Sequence, residues 1–473
     1  MTWRQEVLPA LQITRREVRD QFRDWRIIFP VLGLTVFFPF LMNFTAQQAL
    51  KFVEKYGAAI VAERLIPFLF MVVGFFPISV SLVIALETFV GEKERGSIEP
   101  LLNTPLKDWQ LYLGKLLSST VPPLISSYLG MAVYLGGLIS SGVKIPEPFI
   151  LFQLVALTTV QAVVMVAAAV IVSSQTTSVR AANLLASFIV IPSALLIQGE
   201  SIVVFWGDYT TLWWAILGMA VFGGLLIRVG LAHFRREELL GREIDVLNIR
   251  WGWKVFKQQF LDGAGSIWSW YRSVFAAIAR MKLAVALVSV LLVAAVFLGH
   301  AQAARFQIPL DDLGLQDFNT RFGEVLPVLH GQGLSAVLSY AWQNLRVLLF
   351  SLLLGFFSFG ILGVLPSFLS LGVVGYLMAI LQQMNLTPWQ YLFAFILPHG
   401  VFEIPAVILA NAAILKMGAG LATPDNRRSV SEVWLTLLAD WVKIMIGVVI
   451  PLLLLAAMAE AWLTPQIAGI LLK

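Results

Sequence analysis

Residues 65–89 read LIPFLFMVVGFFPISVSLVIALETF, twenty-five positions with no charge before Glu87. An α-helix rises about 1.5 Å per residue, so about 20 apolar residues cross a hydrocarbon layer roughly 30 Å thick. A membrane barrel strand needs only about 10 residues and alternates apolar with polar, which this run does not. Backbone polar groups in lipid must be satisfied within the segment, so the stretch reads as a transmembrane helix. Comparable runs recur to the end of the chain. Hydrophobic residues make up 59% of 473 positions and charged residues 13%, with mean hydropathy +0.83. A soluble domain carries about 25% charge. The expected fold class is therefore an all-α polytopic integral membrane protein, and a soluble enzyme is excluded.

Eleven spans are expected, near 27–42, 65–89, 116–139, 149–172, 182–197, 212–231, 283–298, 345–365, 369–384, 391–417 and 437–458. The eighth and ninth share a turn at Pro366. With the N-terminus in the cytoplasm, 25 of the 33 lysines and arginines fall in cytoplasmic segments and eight outside, as the positive-inside rule requires. The chain has no cysteine, which excludes disulfides and thiolate metal sites. Six arginines and four acids in the first 26 residues argue against a cleavable signal peptide.

Two segments sit at the membrane surface on this reading. In residues 7–28, Leu11, Val18, Phe22, Trp25 and Phe29 draw one apolar stripe, while Arg15, Arg19, Arg23 and Arg26 line another face. That pattern predicts one amphipathic interfacial helix, either an anchor or a lever joining a partner to the first span. Residues 235–282 hold nine basic residues and four of the fifteen tryptophans. Tryptophan at headgroup level and basic residues on anionic lipid make this a cytoplasmic interfacial linker. The expected division is thus a module over 1–245, a linker over 246–280 and a module over 281–473. Membrane lipid is an expected partner and nucleic acid is not.

Residues 87–115, ETFVGEKERGSIEPLLNTPLKDWQLYLGK, form a charged connection between two spans. A short helix over 97–102 is expected, with Ser97 as cap and Glu99 at its positive end. The outer connection over 43–64 is short, and the turn over 198–208 carries Glu200 and Asp208. No G-x-x-x-x-G-K-[ST] occurs, so this chain does not cradle ATP phosphates itself.

The run Glu92, Glu94, Arg95, Gly96, Glu99, Leu101–Leu102 and Thr104–Pro105, followed by Gly114–Lys115, resembles the ABC-2 type permease family. The amphipathic start, six spans and the closing FRREELLGR at 234–242 are similar to it as well. The resemblance implies an exporter permease in which those residues contact a separate ATP-binding subunit. It implies that ATP and magnesium are held by that partner and that this chain needs no cofactor of its own. It also implies a homodimer or a second permease, and a bacterial-type plasma membrane. Many relatives carry a large outer domain after the first span; the short 43–64 connection argues against one here.

In the second module, His399 and Glu403 stand four apart on one face of a helix expected to be broken by Pro398 and Pro405. Ionisable groups within a span are costly and face the bundle interior with a partner. Candidate partners are Asn344 and Arg346, Asp440 and Lys443, and Glu460. Asn344 in WQNLRV, the glycines between 355 and 375, Pro398–His399–Gly400 with Glu403, and Glu460 in AEAWLTP resemble the stage II sporulation protein M family. The polar cluster Asn344, His399, Glu403 and Glu460 admits three readings: packing hydrogen bonds, a proton or ion relay, and a metal site. The last is weakened by the absence of H-E-x-x-H and of a third ligand beside the i,i+4 pair. No catalytic residue is assigned. An envelope scaffold and an intramembrane metalloenzyme remain as alternatives to the exporter.

Overall fold

The computed structural model describes residues 3–56, 59–97, 103–176, 178–185, 187–206, 209–234, 249–304, 333–421, 423 and 430–471. Among the described residues there is no strand, and ten helices are long and apolar enough to cross a membrane. The chain divides into two compact units, Met1–Leu247 and Asn248–Lys473.

The first unit begins with α1 (Trp3–Gln21), a turn over 22–24, and α2 (Trp25–Tyr56). The single interfacial helix expected over 7–28 is therefore two: its last residues start the first span instead of continuing α1. Next come α3 (Ala59–Glu94), α4 (Asp108–Ser140) and α5 (Pro148–Gln175). Gly96 at φ +66° closes α3, and the Ser97 amide donates back to the Glu92 carbonyl at 3.0 Å, a left-handed terminus that glycine adopts without steric cost. Pro148 opens α5 in its first turn, where a missing N–H costs nothing. Then follow α6 (Val179–Leu185), α7 (Ser187–Trp206) and α8 (Tyr209–His233).

The fifth expected span differs from the sequence reading. In place of one helix over 182–197 the structure has α6 (Val179–Leu185) and the 20-residue α7 (Ser187–Trp206). Helix α7 also continues to Trp206, so Glu200 lies within a helix and not in the outer turn expected over 198–208; Asp208 is outside the described residues.

In the second unit, α9 (Ile249–Leu261) and α10 (Ile267–Ala279) occupy the stretch expected as a linker, and both pack on the helix that begins at Val430. Ser266 caps α10, its hydroxyl accepting from the Ser269 amide at 3.2 Å. The spans are α11 (Lys282–Gln302), α12 (Gly333–Phe357) and α13 (Leu365–Gln383). A long helix follows, from Pro388 through a π-turn (Leu392–Ile396) into α14 (Leu397–Leu421). The last runs from α15 (Val430–Ile444) through a π-turn (Met445–Val449), α16 (Ile450–Met458), a further π-turn (Ala459–Leu463) and α17 (Thr464–Leu471). The turn between α12 and α13 falls at 358–361, where Gly360 adopts φ +85°, and Pro366 opens α13. Helices α11 and α13 touch at backbone distance: a methyl on Gly375 would run into the Val296 carbonyl. Without hydrophobic drive inside lipid, such close backbone packing holds helices together.

Candidate functional site

In the first unit, one end of the bundle gathers α1, the end of α3 and the start of α4. Ala10, Ile13, Thr14 and Glu17 form the packed face of α1. Thr14 donates to the Gly114 carbonyl at 3.1 Å, and a side chain on Gly114 would meet Ala10 and Ile13 at 3.0 Å. Gln110 donates to the Glu6 carbonyl at 2.6 Å, and Lys107 pairs with Glu6 at 2.9 Å.

At the centre is Lys115, 2% exposed. Its ammonium lies 2.6 Å from Glu17 and also contacts Glu92, and Ser118 donates to Glu17 at 3.0 Å. The ammonium stands 5.9 Å from the Phe89 ring centroid, within cation–π range. Phe89 and Tyr112 both pack on Phe234, whose buried ring ends the described part of the closing segment. A buried cation between two carboxylates and an aromatic face links α1, α3 and α4, and removing one partner would leave the others uncompensated.

The residues carried over from the resemblance separate on this frame. Glu92 turns inward to Lys115. Glu94 is exposed and accepts from the Val179 amide at 2.8 Å. Lys93, beside them, donates to the Ser174 and Thr176 carbonyls at 3.0 and 2.8 Å, joining the end of α3 to the end of α5. Arg95, Gly96 and Pro105 are exposed, and Thr104 is half-buried. Glu99, Leu101 and Leu102, with the short helix expected over 97–102, lie outside the described residues. Arg15, Arg19 and Arg23 are exposed, as are Phe22, Trp25 and Leu11. The apolar stripe read from the sequence is thus the uncovered face of this segment, and a different face of α1 packs on the bundle.

In the second unit the four polar residues do converge. His399 Nδ1 stands 3.3 Å from the Thr464 hydroxyl, and its Nε2 stands 3.9 Å from Glu403. Asn344 is within side-chain hydrogen-bonding reach of Glu403, and Glu403 is near enough for its charge to act on Glu460. Helix α14 runs unbroken through Pro405, whereas the sequence reading breaks it there. The irregularity sits before Pro398, in the π-turn Leu392–Ile396, where one wider turn makes room for the ring and its missing N–H. Glu460 lies inside another π-turn and Thr464 directly follows it, and α17 packs against the π-turn before His399. Such turns shift side-chain register by one residue and recur at functional sites. Thr464, in AEAWLTP, is the member that the sequence reading does not single out. Among the described residues no group of three or more His, Cys, Asp or Glu is placed to hold a metal ion, so the metalloenzyme alternative gains no geometric support.

Asp440 and Lys443 belong elsewhere. Lys443, fully buried, lies 3.6 Å from Asp262 and 3.7 Å from Asp440, while Gln259 donates to Asp440 at 2.8 Å and Arg280 stands 3.8 Å from it. This network ties α9 and α10 to α15.

Bundles of long apolar helices, with their buried charged groups gathered into paired clusters, define a multi-span membrane protein. Residues 11–231 match the family model of ABC-2 family transporter protein, and residues 283–465 match that of stage II sporulation protein M. The chain therefore joins an ABC-2 transporter region and a stage II sporulation protein M region in one polypeptide. The ABC-2 region is a membrane subunit and not itself catalytic. No curated protein and no solved structure matches the chain.

Proposed function

We propose that the chain is the membrane subunit of an ABC-type exporter in a bacterial-type plasma membrane. A separate ATP-binding subunit docks where α3 ends and α4 begins, on the cytoplasmic side, with the N-terminus on that side too. The observation that carries this reading is the Lys115 cluster. Force applied at the exposed Arg95–Gly96 turn passes through Glu92 to Lys115, then to α4 and, through Glu17, to α1. The uncovered Leu11, Phe22 and Trp25 face, with Arg15, Arg19 and Arg23 beside it, suits an anionic lipid surface. Two such six-helix regions, from a second copy or a second permease, complete the transporter. The second unit serves as an accessory membrane module whose polar cluster fixes α12, α14 and α17 against one another.

The test is co-purification. Wild-type chain expressed with its ATP-binding partner should carry that subunit in a fixed ratio. Glu94→Lys should lose most of it while inserting normally. Equal recovery of the ATPase with Glu94→Lys would overturn the docking face.

A further inference from the structure

Helices α3, α5, α7 and α8 line a small cavity in the first unit, with Phe75, Gln161, Met165, Ser193, Ile197 and Met219 on its walls. It has room for roughly one water-sized group. Gln161, 3% exposed, stands near the middle of the 28-residue α5, so the cavity is deep in the apolar bundle. Beside it is Glu200, 5% exposed, one of whose carboxylate oxygens accepts from the Gln161 amide.

The remaining valences are one-sided. Glu200 Oε1 and Gln161 Oε1 are both buried without a hydrogen-bond partner. Ser193 uses its hydroxyl hydrogen on the Ile189 carbonyl at 2.8 Å, so its oxygen can only accept. A buried carboxylate and a buried amide oxygen left unfilled are each costly. An ionisable group at this depth marks function more often than packing. The open oxygens call for a proton held on the Glu200 carboxyl or for a positive charge beside it. One carboxylate among neutral oxygens balances a single charge; a divalent ion would leave a net charge buried.

We propose that Glu200 and Gln161 bind one monovalent cationic centre, either an alkali-metal ion or the ammonium headgroup of an amphiphilic amine. The two sources share the same chemistry, and the experiment separates them.

The full-length chain in lipid nanodiscs, without any ATPase, is titrated with radioactive sodium, radioactive rubidium and radiolabelled dodecylammonium, at ionic strength held constant with choline chloride. Saturable binding of at least one probe is expected, weakened at least about tenfold by Glu200→Gln, a change of roughly 1.4 kcal/mol. That variant keeps the shape and a hydrogen bond to Gln161. Gln161→Leu, which leaves the carboxylate in place, should weaken the same probe and carries the comparison if Glu200→Gln does not fold. Binding of sodium or rubidium assigns a free ion, and binding of dodecylammonium but not dodecanol assigns an amine. Absence of binding to the wild type, equal binding by a folded variant, or tighter binding of calcium would overturn the proposal. Because no ATPase is present, a negative result leaves the exporter reading to be judged by co-purification alone.

Discussion

The ammonium of Lys115 lies 2.6 Å from the Glu17 carboxylate, so α1 is fastened to α4 by a pair whose cation is withdrawn from water and whose carboxylate is partly exposed. Glu92 contacts the same ammonium from the end of α3. Three segments distant in sequence thus share one cation at one end of the bundle.

Replacing Lys115 by methionine leaves two carboxylates facing an apolar side chain. Breaking a buried pair costs about 3–5 kcal/mol, and the partial exposure of Glu17 and Glu92 points to the lower end. Thermal unfolding in detergent should shift down accordingly, and limited proteolysis should cut α1 first. Adding Glu17→Gln to Lys115→Met should recover part of the loss. An unchanged melting curve for Lys115→Met would show that α1 is held by its apolar contacts alone.

Gly375→Ala should destabilise the second unit by about 1–3 kcal/mol or more, the range for overpacking, because the new methyl meets the Val296 backbone and no flexible side chain can yield. Gly218→Ala, inside α8 where nothing stands within 4 Å, is the control and should be neutral or stabilising by up to about 1 kcal/mol. Denaturation of the two variants side by side gives the comparison.

Thr464→Val removes the hydroxyl facing His399 while keeping its volume. If the cluster fixes helices and no more, the loss should be about 0.6 kcal/mol, the average for hydrogen bonds between membrane helices. A loss of several kcal/mol in a denaturant titration would contradict a simple packing role for His399 and Thr464.

Lys443→Met should loosen α9 and α10 from α15, since Asp262 and Asp440 then face each other without their shared cation. Faster proteolytic cleavage between residues 249 and 281, with the spans intact, is the expected readout.

Much of this was legible in the residues. Span lengths follow from hydropathy, because a helix must cover a fixed thickness of lipid. The convergence of Asn344, His399, Glu403 and Glu460 follows from the cost of leaving such groups facing lipid. Three things were hidden for physical reasons. The π-turns before His399 and around Glu460 insert a residue without a composition signal, so spacing alone does not give register there. Lys115 reads as a loop-end basic residue, and only the fold reveals that Glu17 comes back to it. Glu200 reads as an outer-turn acid because the fifth span is expected to end near 197, whereas α7 continues to Trp206 and brings the carboxyl to Gln161. The stripe of Leu11, Phe22 and Trp25 was visible, but which face of α1 meets the protein depends on Gly114 letting Ala10 approach.

The central claim is that the Arg95–Gly96 end of α3, backed by Glu92 and Lys115, receives an ATP-binding subunit. Its most direct test is site-specific crosslinking from Arg95, replaced by a photoreactive residue, in membranes containing the co-expressed ATPase. The account predicts a crosslinked product containing the ATPase from position 95 and none from Leu298, on the second unit's first span. No ATPase adduct from position 95, in membranes where the ATPase still co-purifies with the chain, would contradict it.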